Sequence, residues 1–395
     1  MNPQVRVNAR GAARLRNGHV WVYKSDLKPV RDVPPGAVVT VADERGKPLG
    51  TALFSSTSQI AIRLISTDAV NTEQFPAVVR DRVRAAIEYR RRVVGESEAY
   101  RVVFSEADFL PGLIVDRYGD IVSVQVLTQA MDAPPVREAL VSTIAEELHP
   151  VCIVERVEAR IRELEQLPPL EDRVLYCRDK QPKTSTEFKM NGLRFQFDAL
   201  GGQKTGAFLD QRENYAAAER YARGRALDVF TYQGGFALHL NRACEQVTAV
   251  DSSRAALEVA DQNATRNGGR EIEFVEANAF ELLRDYSDAG EKYDTIVLDP
   301  PAFAKSKSAL PTAVRGYKEI NLRALKMLKP GGVLVTCSCS FHVGETAFAE
   351  MLAAAAIDAK RQVRILERRV QAQDHPVLLT VPETLYLKCI IAEVQ

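Results

Sequence analysis

Residues 293–310 read YDTIVLDPPAFAKSKSAL, a strand pattern that is followed at once by a rigid turn. The TIVLD segment is β-branched and apolar on both faces, which is typical of a central strand in a parallel sheet. Because Pro300 and Pro301 can continue neither a strand nor a helix, the strand ends at Asp299. Open α/β sheets hold their ligands at the carboxyl ends of their strands. We therefore expect Asp299 to lie at a ligand site; an ordinary strand that ends in a turn is the alternative.

Strand patterns alternate with helix patterns on both sides of this segment, from residue 192 onward. Such alternation predicts an α/β fold with a mainly parallel sheet. In chain order, the predicted strands are RALDVFTY, QVTAVDSS, IEFVEANAF, TIVLD and GGVLVTCSCS. The closing sequence VLLTVPETLYLKCIIAEV is predicted to form an antiparallel hairpin at the edge of this sheet.

Two of the predicted strands end in residues that suit a nucleoside. The first ends in DVFTYQGG, residues 228–235, where Gly234 and Gly235 would let the backbone approach a ligand closely at a helix N-terminus. The second ends at Asp251, and an acid in this position can accept hydrogen bonds from both hydroxyls of a ribose. The GxGxxG pattern of dinucleotide folds is absent, and no basic residue replaces it for a phosphate. The pattern therefore predicts a nucleoside-bearing cofactor without a pyrophosphate, a description that S-adenosylmethionine fits.

The sequence before the parallel sheet predicts two further domains. Residues 1–70 contain short strands punctuated by Gly and Pro, which is typical of a small β-barrel. Residues 71–190 follow an α+β pattern without a catalytic signature, so we expect a linking domain there. Residues 191–395 form the third predicted domain.

Basic residues are concentrated in two segments, although the formal net charge of the chain is zero. Clustered cations can attract phosphate even on a neutral protein, so the barrel is expected to be a binding module with a basic edge. Solvated helix and loop faces are the alternative interpretation, above all for the second cluster. The first cluster is Arg6, Arg10, Arg14, Arg16, Lys24, Lys28 and Arg31, and the second is Arg80, Arg82, Arg84, Arg90, Arg91 and Arg92.

The composition argues against several other classes of protein. The chain begins without a signal-peptide pattern and has no run of about 18 apolar residues, so we expect no membrane span. Its six cysteines lack the spacing of a disulfide framework, which predicts a reducing, cytoplasmic location. Histidines and cysteines also lack zinc-ligand spacing, so no metal is expected.

The motifs from residue 204 onward resemble those of a known family, the bacterial class I methyltransferases that make 5-methylcytosine in large-subunit ribosomal RNA. The resemblance implies a Rossmann-like methyltransferase domain preceded by a PUA domain, which is a small RNA-binding barrel, and by a linking α/β domain. It also implies S-adenosylmethionine as cofactor and large-subunit ribosomal RNA or its assembly precursor as partner, and it leaves a homodimer open. The matching segments are KTGAFLDQR (204–212), DVFTYQGGFALH, AVDSSRAALEVADQNATRN, LDPPAFAKSKSAL, RGYKEIN (315–321), LKPGGVLVTCSCS and DHPVLLTVPETLYLK (374–388).

The same resemblance assigns roles to individual residues. It selects Cys339, in the final SCS, as the nucleophile, in agreement with its place at the end of the fifth strand; Cys337 lies deeper in the same strand. The chemistry of thiolate addition in turn predicts that Asp299 hydrogen-bonds N3 or the amino edge of the target base. Gln211 is expected to contact the methionine part of the cofactor, with Lys204 and Arg212 as weaker candidates. The expected cofactor-binding residues are Gln211, Asp228, Phe230, Tyr232, Gly234, Gly235, Asp251, Ser252, Asn278, Asp299 and Pro300.

The chain departs from related patterns at two positions. Asn278 stands where the family usually has an acid, and its amide oxygen can still accept a hydrogen bond from an adenine amino group. Ala302 stands where many RNA cytosine methyltransferases outside this family carry a second cysteine, which implies one nucleophile.

Two other functions fit the sequence less closely. One is methylation of a purine ring nitrogen or exocyclic amine, because DPPxF followed by SK also occurs in such enzymes. In either kind of enzyme, Lys305 and Lys307 could contact RNA phosphate, although solvated loop lysines are the default interpretation. The other is an RNA-binding assembly factor that has kept the fold without catalysis.

Overall fold

The computed structural model describes residues 2–179, 181–201, 207–304 and 306–395, so Lys204 and Lys305 lie outside the described residues. The chain divides into two compact units. The first comprises Met1–Phe188, Phe197–Gly206 and Gln373–Thr384, and the second comprises Lys189–Gln196, Ala207–Ala372 and Leu385–Gln395. No described helix is both long and apolar enough to cross a bilayer.

The first unit begins with a five-stranded sheet in the order β1-β3-β4-β5-β2. Its core is formed by alternate apolar residues of these strands, such as Val39, Val41 and Ile62, which are fully buried. The residues on the other face of these strands, such as Val38 and Leu53, are also buried and belong to a second apolar cluster, so the strands are covered on both faces. The elements are β1 (Gln4–Arg6), α1 (Ala9–Arg16), β2 (Trp21–Tyr23), β3 (Val38–Ala42), β4 (Pro48–Phe54) and β5 (Ile60–Ser66).

A second five-stranded sheet follows in the same unit, in the order β10-β9-β8-β7-β6. Only β8 and β9 pair in parallel among these strands, and α3 joins them. The helix α2 buries Val79, Val83 and Ile87. The elements are α2 (Phe75–Val93), β6 (Ala99–Phe104), β7 (Leu113–Tyr118), β8 (Ile121–Val126), α3 (Pro134–Leu148), β9 (Cys152–Glu155), α4 (Ala159–Leu164) and β10 (Arg173–Cys177).

One arginine of the second basic cluster is not available to phosphate. Arg90 is 1% exposed, and its guanidinium pairs with both carboxylate oxygens of Asp108. It also donates to the backbone carbonyl of Arg101 at 2.9 Å. The sequence-based prediction that Arg90 belongs to a phosphate-attracting surface is therefore wrong, because this side chain stabilises the fold from inside.

Strands β11 and β12 form a two-stranded sheet whose residues are divided between the two units, and the second unit contains a seven-stranded sheet in the order β15-β14-β13-β16-β17-β19-β18. The first five of these strands are parallel, whereas β19 and β18 are antiparallel. The elements are β11 (Ser185–Met190), β12 (Leu193–Asp198), α5 (Arg212–Tyr221), β13 (Arg225–Val229), α6 (Gly235–Ala243), β14 (Gln246–Asp251), α7 (Arg254–Asn267), β15 (Ile272–Glu276), α8 (Ala279–Asp288), β16 (Tyr293–Leu298), α9 (Leu310–Met327), β17 (Leu328–Ser338), α10 (Glu345–Asp358), β18 (Val363–Arg369) and β19 (Lys388–Val394).

This topology confirms the predicted α/β fold with a mainly parallel sheet and an antiparallel edge. The antiparallel pair differs in detail from the prediction, because β19 pairs with β18 and the predicted partner segment, residues 377–387, contains no strand. Strand order changes direction between β13 and β16, and such a switch point opens a crevice at the carboxyl ends of the strands.

Candidate active site

A cavity of about 490 Å³ lies at the carboxyl ends of β13, β14, β16 and β17, within the second unit. This volume is in the range of small-molecule and cofactor sites. Eight of the residues that the sequence predicted for the site line the cavity. The full lining is Phe208, Asp210, Gln211, Phe230, Tyr232, Asp251, Ser252, Asp299, Pro300, Pro301, Ala302, Cys339 and Leu387.

The turn after β13 brings two aromatic rings into the cavity. Phe230 and Tyr232 have φ angles of 70° and 52°, in the left-handed region that residues other than glycine rarely adopt. The hydroxyl of Thr231, between them, donates to the buried Asp228 carboxylate at 2.6 Å. Such strained backbone is typical of binding sites, where the surrounding structure holds it in place.

Asp251 ends β14 with its carboxylate fixed in position. One oxygen accepts the backbone N–H of Tyr232 and the other accepts that of Ser253, each at 2.9 Å. Because a carboxylate oxygen has two lone pairs, both oxygens can still accept a hydroxyl from a ligand. The predicted contact of Asp251 with the two hydroxyls of a ribose is compatible with this geometry and stays a prediction.

The two glycines of the turn are required by packing inside the protein. Gly234 precedes α6 with a φ of +84°, and a Cβ on Gly235 would stand 2.5 Å from the ring of Tyr215. Neither glycine lines the cavity, and a direct contact with the cofactor stays a prediction for both. Asp228 is fully buried behind the turn.

Asn278 lies away from the cavity lining and has a local structural task. Its exposed side chain caps α8 by accepting the backbone N–H of Phe280 at 2.9 Å and that of Glu281 at 3.3 Å. An asparagine is one of the preferred residues at this position. Its predicted contact with adenine stays a prediction.

Burial keeps two acids of the site from ionising readily. Burial is the main cause that raises the pKa of Asp299 to about 8, with contributions from the carboxylates of Asp210 and Asp228. The amide of Gln211 donates to Asp299 Oδ1 at 2.9 Å and lowers this pKa in part. Burial also raises the pKa of Asp228 to about 7, against the hydrogen bond from Thr231. At neutral pH, the carboxyl of Asp299 can therefore act as a hydrogen-bond donor.

Cys339 follows the last residue of β17, and its thiol contributes to the cavity wall. The Sγ atom lies 3.8 Å from the carbonyl oxygen of Pro300. Burial, with the charges of Asp299 and Asp210, raises the pKa of this thiol to about 12, whereas Lys388 lowers it. Cys339 is therefore a thiol at neutral pH and needs help to ionise.

Cys337 is placed differently from Cys339. It is fully buried inside β17, directly opposite Cys389 of β19. Burial raises the pKa of its thiol strongly, with a further contribution from Cys389. Of the two cysteines at the end of this strand, Cys339 is the one that lines the cavity.

Sequence reasoning missed several residues of the site. Phe208 and Asp210 line the cavity from the segment before α5, and Leu387 lines it from the segment before β19. Asp210 accepts a hydrogen bond from the hydroxyl of Tyr386 at 2.6 Å, which joins these two segments. The only available signal was that both segments, LDQR and ETLYLK, belong to matching motifs. Within the described residues, no group of three potential metal ligands is assembled.

The cavity fits S-adenosylmethionine in size and in chemistry. Asp251 can bind the ribose, while Phe230, Tyr232 and Ser252 form the wall next to it. Gln211 is 2% exposed, lines the same cavity and is hydrogen-bonded to Asp299. The bound cofactor would supply an electrophilic methyl group.

Comparison with known proteins agrees with this geometry. Residues 5–67 match the PUA-like domain family, and residues 174–378 match the S-adenosylmethionine-dependent methyltransferase family. A solved methyltransferase structure in complex with SAH superposes with a TM-score of 0.84, at 18% identity over 99% of this chain and 100% of that chain. Fold and site thus define a class I S-adenosylmethionine-dependent methyltransferase that carries a PUA-like domain.

Curated relatives narrow this class further. A protein of Pseudoalteromonas translucida named ribosomal RNA large subunit methyltransferase I is 35% identical over the whole of both chains. A protein of Tolumonas auensis with the same name is 39% identical over 95% of this chain and 96% of its own. This chain belongs to the family of S-adenosylmethionine-dependent methyltransferases that includes them, as its motifs predicted.

Proposed function

We propose that this protein transfers a methyl group from S-adenosylmethionine to C5 of a cytosine in large-subunit ribosomal RNA, through a covalent bond between Cys339 and C6. The names of its full-length relatives support ribosomal RNA of the large subunit as the substrate. The choice of cytosine C5 depends on the chemistry of the cavity.

The observation that carries the proposal is the presence of Cys339 and Asp299 in the same cavity. Cytosine C5 is a weak nucleophile until a thiolate adds to C6. Addition places negative charge on the pyrimidine ring, and a neutral carboxyl group beside N3 can supply the proton that removes it. With a pKa of about 8, caused mainly by burial, Asp299 holds that proton at neutral pH.

The proposed reaction balances in three steps. First, the thiol proton of Cys339 passes to water, the S–C6 bond forms, the C5=C6 electron pair moves to C5–C4, the C4=N3 pair moves to N3, and N3 takes the proton of Asp299. Second, C5 would take the electrophilic methyl group that the bound cofactor supplies; the C4=C5 pair forms the new bond, and the N3 lone pair restores C4=N3. Third, the C5 proton leaves to a base, the C5=C6 bond forms again, Cys339 departs as a thiolate and regains its proton from water, and N3 returns its proton to Asp299.

The packing of Phe303 argues against the purine or amine alternative. In that chemistry, the aromatic residue of a DPPxF motif would be expected to hold the base. Here the ring of Phe303 packs on Tyr317, at a centroid distance of 4.6 Å, and on Phe280, at 5.7 Å. These contacts turn the ring toward the core of the second unit.

We further propose that residues 1–70 bind RNA, that residues 71–190 link them to the methyltransferase domain at 191–395, and that the protein works in the cytoplasm as a monomer or homodimer. Lys24 supports the first point, because it is exposed and forms no ion pair among the described residues. By contrast, Arg16 and Lys28 are paired with Asp43 and Glu44 at 2.5 and 2.6 Å.

The decisive experiment is to trap the adduct on RNA that carries 5-fluorocytosine at the target. Fluorine cannot leave C5 as a proton does, so the bond between Cys339 and C6 should persist and be visible by denaturing electrophoresis and mass spectrometry. The wild type and Cys337→Ser should both trap, and Cys339→Ser should not. A trap that requires Cys337 would move the nucleophile to that residue.

Absence of trapping by the wild type on a substrate that it methylates would favour the purine or amine alternative. Calorimetry with S-adenosylmethionine tests the remaining alternative, because an assembly factor with a decayed cavity should bind no cofactor.

A further inference from the structure

A buried lysine, Lys388, is fixed in the immediate surroundings of Cys339. It is 7% exposed, begins β19, and stands opposite Ser338, the last residue of β17. Its Nζ donates to the backbone carbonyl of Ser340 at 2.6 Å and to that of Tyr386 at 2.7 Å. Ser340 directly follows Cys339 in the chain, so these bonds hold the ammonium group close to the thiol.

The position of Lys388 is unfavourable for a charge. In the part of the chain that the structure describes, no carboxylate forms an ion pair with it. A buried ammonium group that lacks a counter-charge costs stability, even when its protons are hydrogen-bonded. Burial accordingly lowers the pKa of Lys388 to about 8, and Cys339 opposes this effect. The loss of stability from burying this ammonium group beside Cys339 indicates a chemical role for Lys388.

The other ionisable groups around Cys339 do not favour its anionic form. Asp299 at the end of β16 and Asp210 before α5 both raise the pKa of the thiol, in addition to burial. Tyr317 on α9 has a pKa that is raised, mainly by burial and in part by Cys339, so it remains a neutral phenol. Among these described groups, Lys388 is the cation, and its charge lowers the pKa of the thiol.

We propose that Lys388 stabilises the thiolate of Cys339 when the sulfur adds to the pyrimidine. The inference rests on the proposed role of Cys339 as nucleophile and assigns the residue that makes this role feasible. The thiol proton passes to water in the cavity, and Lys388 retains its own proton. Lys388 acts through Cys339 and is thus a positioning residue.

The test measures the rate at which iodoacetamide alkylates Cys339 in the full chain without RNA, with the modified cysteine located by peptide mass spectrometry. In this reaction the thiolate sulfur displaces iodide, so the rate reports the thiolate fraction. At pH 7, Lys388→Met should react about tenfold more slowly than the wild type, the effect of one pKa unit. Lys388→Arg should restore the rate, because it keeps the charge.

Lys329→Met is the matched control. Lys329 lies at the other end of β17, where its Nζ pairs with Asp294 at 2.9 Å. The substitution removes the same charge from the strand that pairs with β19 and should leave the alkylation rate unchanged. An equal loss in Lys329→Met would mean that general charge, rather than Lys388, sets the reactivity.

The pH profile gives a signature that a purely structural lysine would not produce. Below the pKa of Lys388, the wild-type rate should rise about tenfold per pH unit. Above pH 8, the reactive ammonium–thiolate form has the same number of protons as the dominant amine–thiol form, so the rise should flatten. Lys388→Met should keep rising, and the difference between the two proteins should shrink.

Each outcome has a definite meaning. A wild-type profile that rises through pH 8 without a bend, or a Lys388→Met rate equal to the wild type, overturns the role of Lys388. If Lys388→Met does not fold, a bend that persists in Asp299→Asn, which lacks the other group with a pKa of about 8, still decides. The proposed function is tested separately by 5-fluorocytosine trapping. If the RNA adduct forms but the alkylation profile has no bend, only the role of Lys388 is rejected. If the profile bends but no adduct forms, only the cytosine adduct is rejected.

Discussion

Replacing Asp299 by Asn should make the protein more stable at neutral pH while it abolishes methyl transfer. Asp299 has an ordinary pKa of 3.8 that burial, with Asp210 and Asp228, raises to about 8. Between these values the folded protein keeps a proton that the unfolded chain releases. Its stability therefore falls as the pH rises from about 4 to about 8 and is constant above that range.

The size of this effect follows from the pKa difference. At pH 7 the penalty spans about three pKa units, which at 1.36 kcal/mol each amounts to about 4 kcal/mol. Because Asp299 faces the cavity, water there reduces the penalty, and this figure is an upper bound. An Asn of the same shape carries no such penalty and can still accept the hydrogen bond of Gln211.

Thermal unfolding without cofactor is the appropriate assay, compared at pH 5 and pH 7.5. Asp299→Asn should raise the unfolding temperature at pH 7.5 by several degrees and by less at pH 5. The matched control is Asp294→Asn, at the other end of β16. Burial raises the pKa of Asp294, but hydrogen bonds from the Arg225 amide and Lys329 outweigh it and hold this pKa below 3.8.

The control should therefore behave in the opposite way. Asp294→Asn should lower the unfolding temperature at neutral pH, because a carboxylate with a depressed pKa stabilises the folded state above its ordinary pKa. If Asp299→Asn also lowered the unfolding temperature, or if its effect were the same at both pH values, Asp299 would be ionised in the free protein. The proposed proton donation to cytosine N3 would then have to be abandoned.

Two further predictions concern ligands. Asp251→Ala should weaken S-adenosylmethionine binding by about 1 to 3 kcal/mol, the cost of losing hydrogen bonds to a charged acceptor; unchanged affinity by calorimetry in a folded variant would reject the ribose assignment. Lys24→Ala should weaken RNA binding and reduce the slope of log affinity against log salt by the equivalent of about one phosphate contact. Lys360 is an exposed lysine of the second unit, and Lys360→Ala should change neither quantity. Equal slopes for both variants would remove Lys24 from the RNA surface.

The parts of the fold that the sequence predicted well were those set by local chemistry. Pro300 and Pro301 forbid continuation of β16, so the position of Asp299 at a strand end followed from two adjacent residues. The same holds for Asp251, which ends the short, mainly apolar strand sequence QVTAVD. The carboxyl ends of parallel strands lie at the same edge of a sheet, and this is why eight predicted residues meet in one cavity.

Other features depended on partners that are distant in the chain. Arg90 looks like a surface cation in its helix, but Asp108 across a loop makes it a core residue. Gly235 suggested ligand contact, whereas the ring of Tyr215 explains why it has no side chain. Asn278 accepts hydrogen bonds from the helix N–H groups two and three residues ahead. Its position after β15 is compatible both with this capping role and with the predicted adenine contact. Residue type and spacing do not distinguish between such alternatives.

Lys388 is the clearest case of information that only the fold supplies. Its sequence neighbours are apolar, and its strand pattern suggested nothing more than an edge of the sheet. Antiparallel pairing of β19 with β17 places it opposite Ser338, one residue from Cys339 in the chain. The antiparallel strand β19 thereby brings a cation to the carboxyl end of β17, where Asp299 and Asp210 act on the thiol of Cys339. In a cavity where burial favours the neutral thiol and the neutral carboxyl, a fixed cation allows the sulfur to ionise without requiring Asp299 to release its proton.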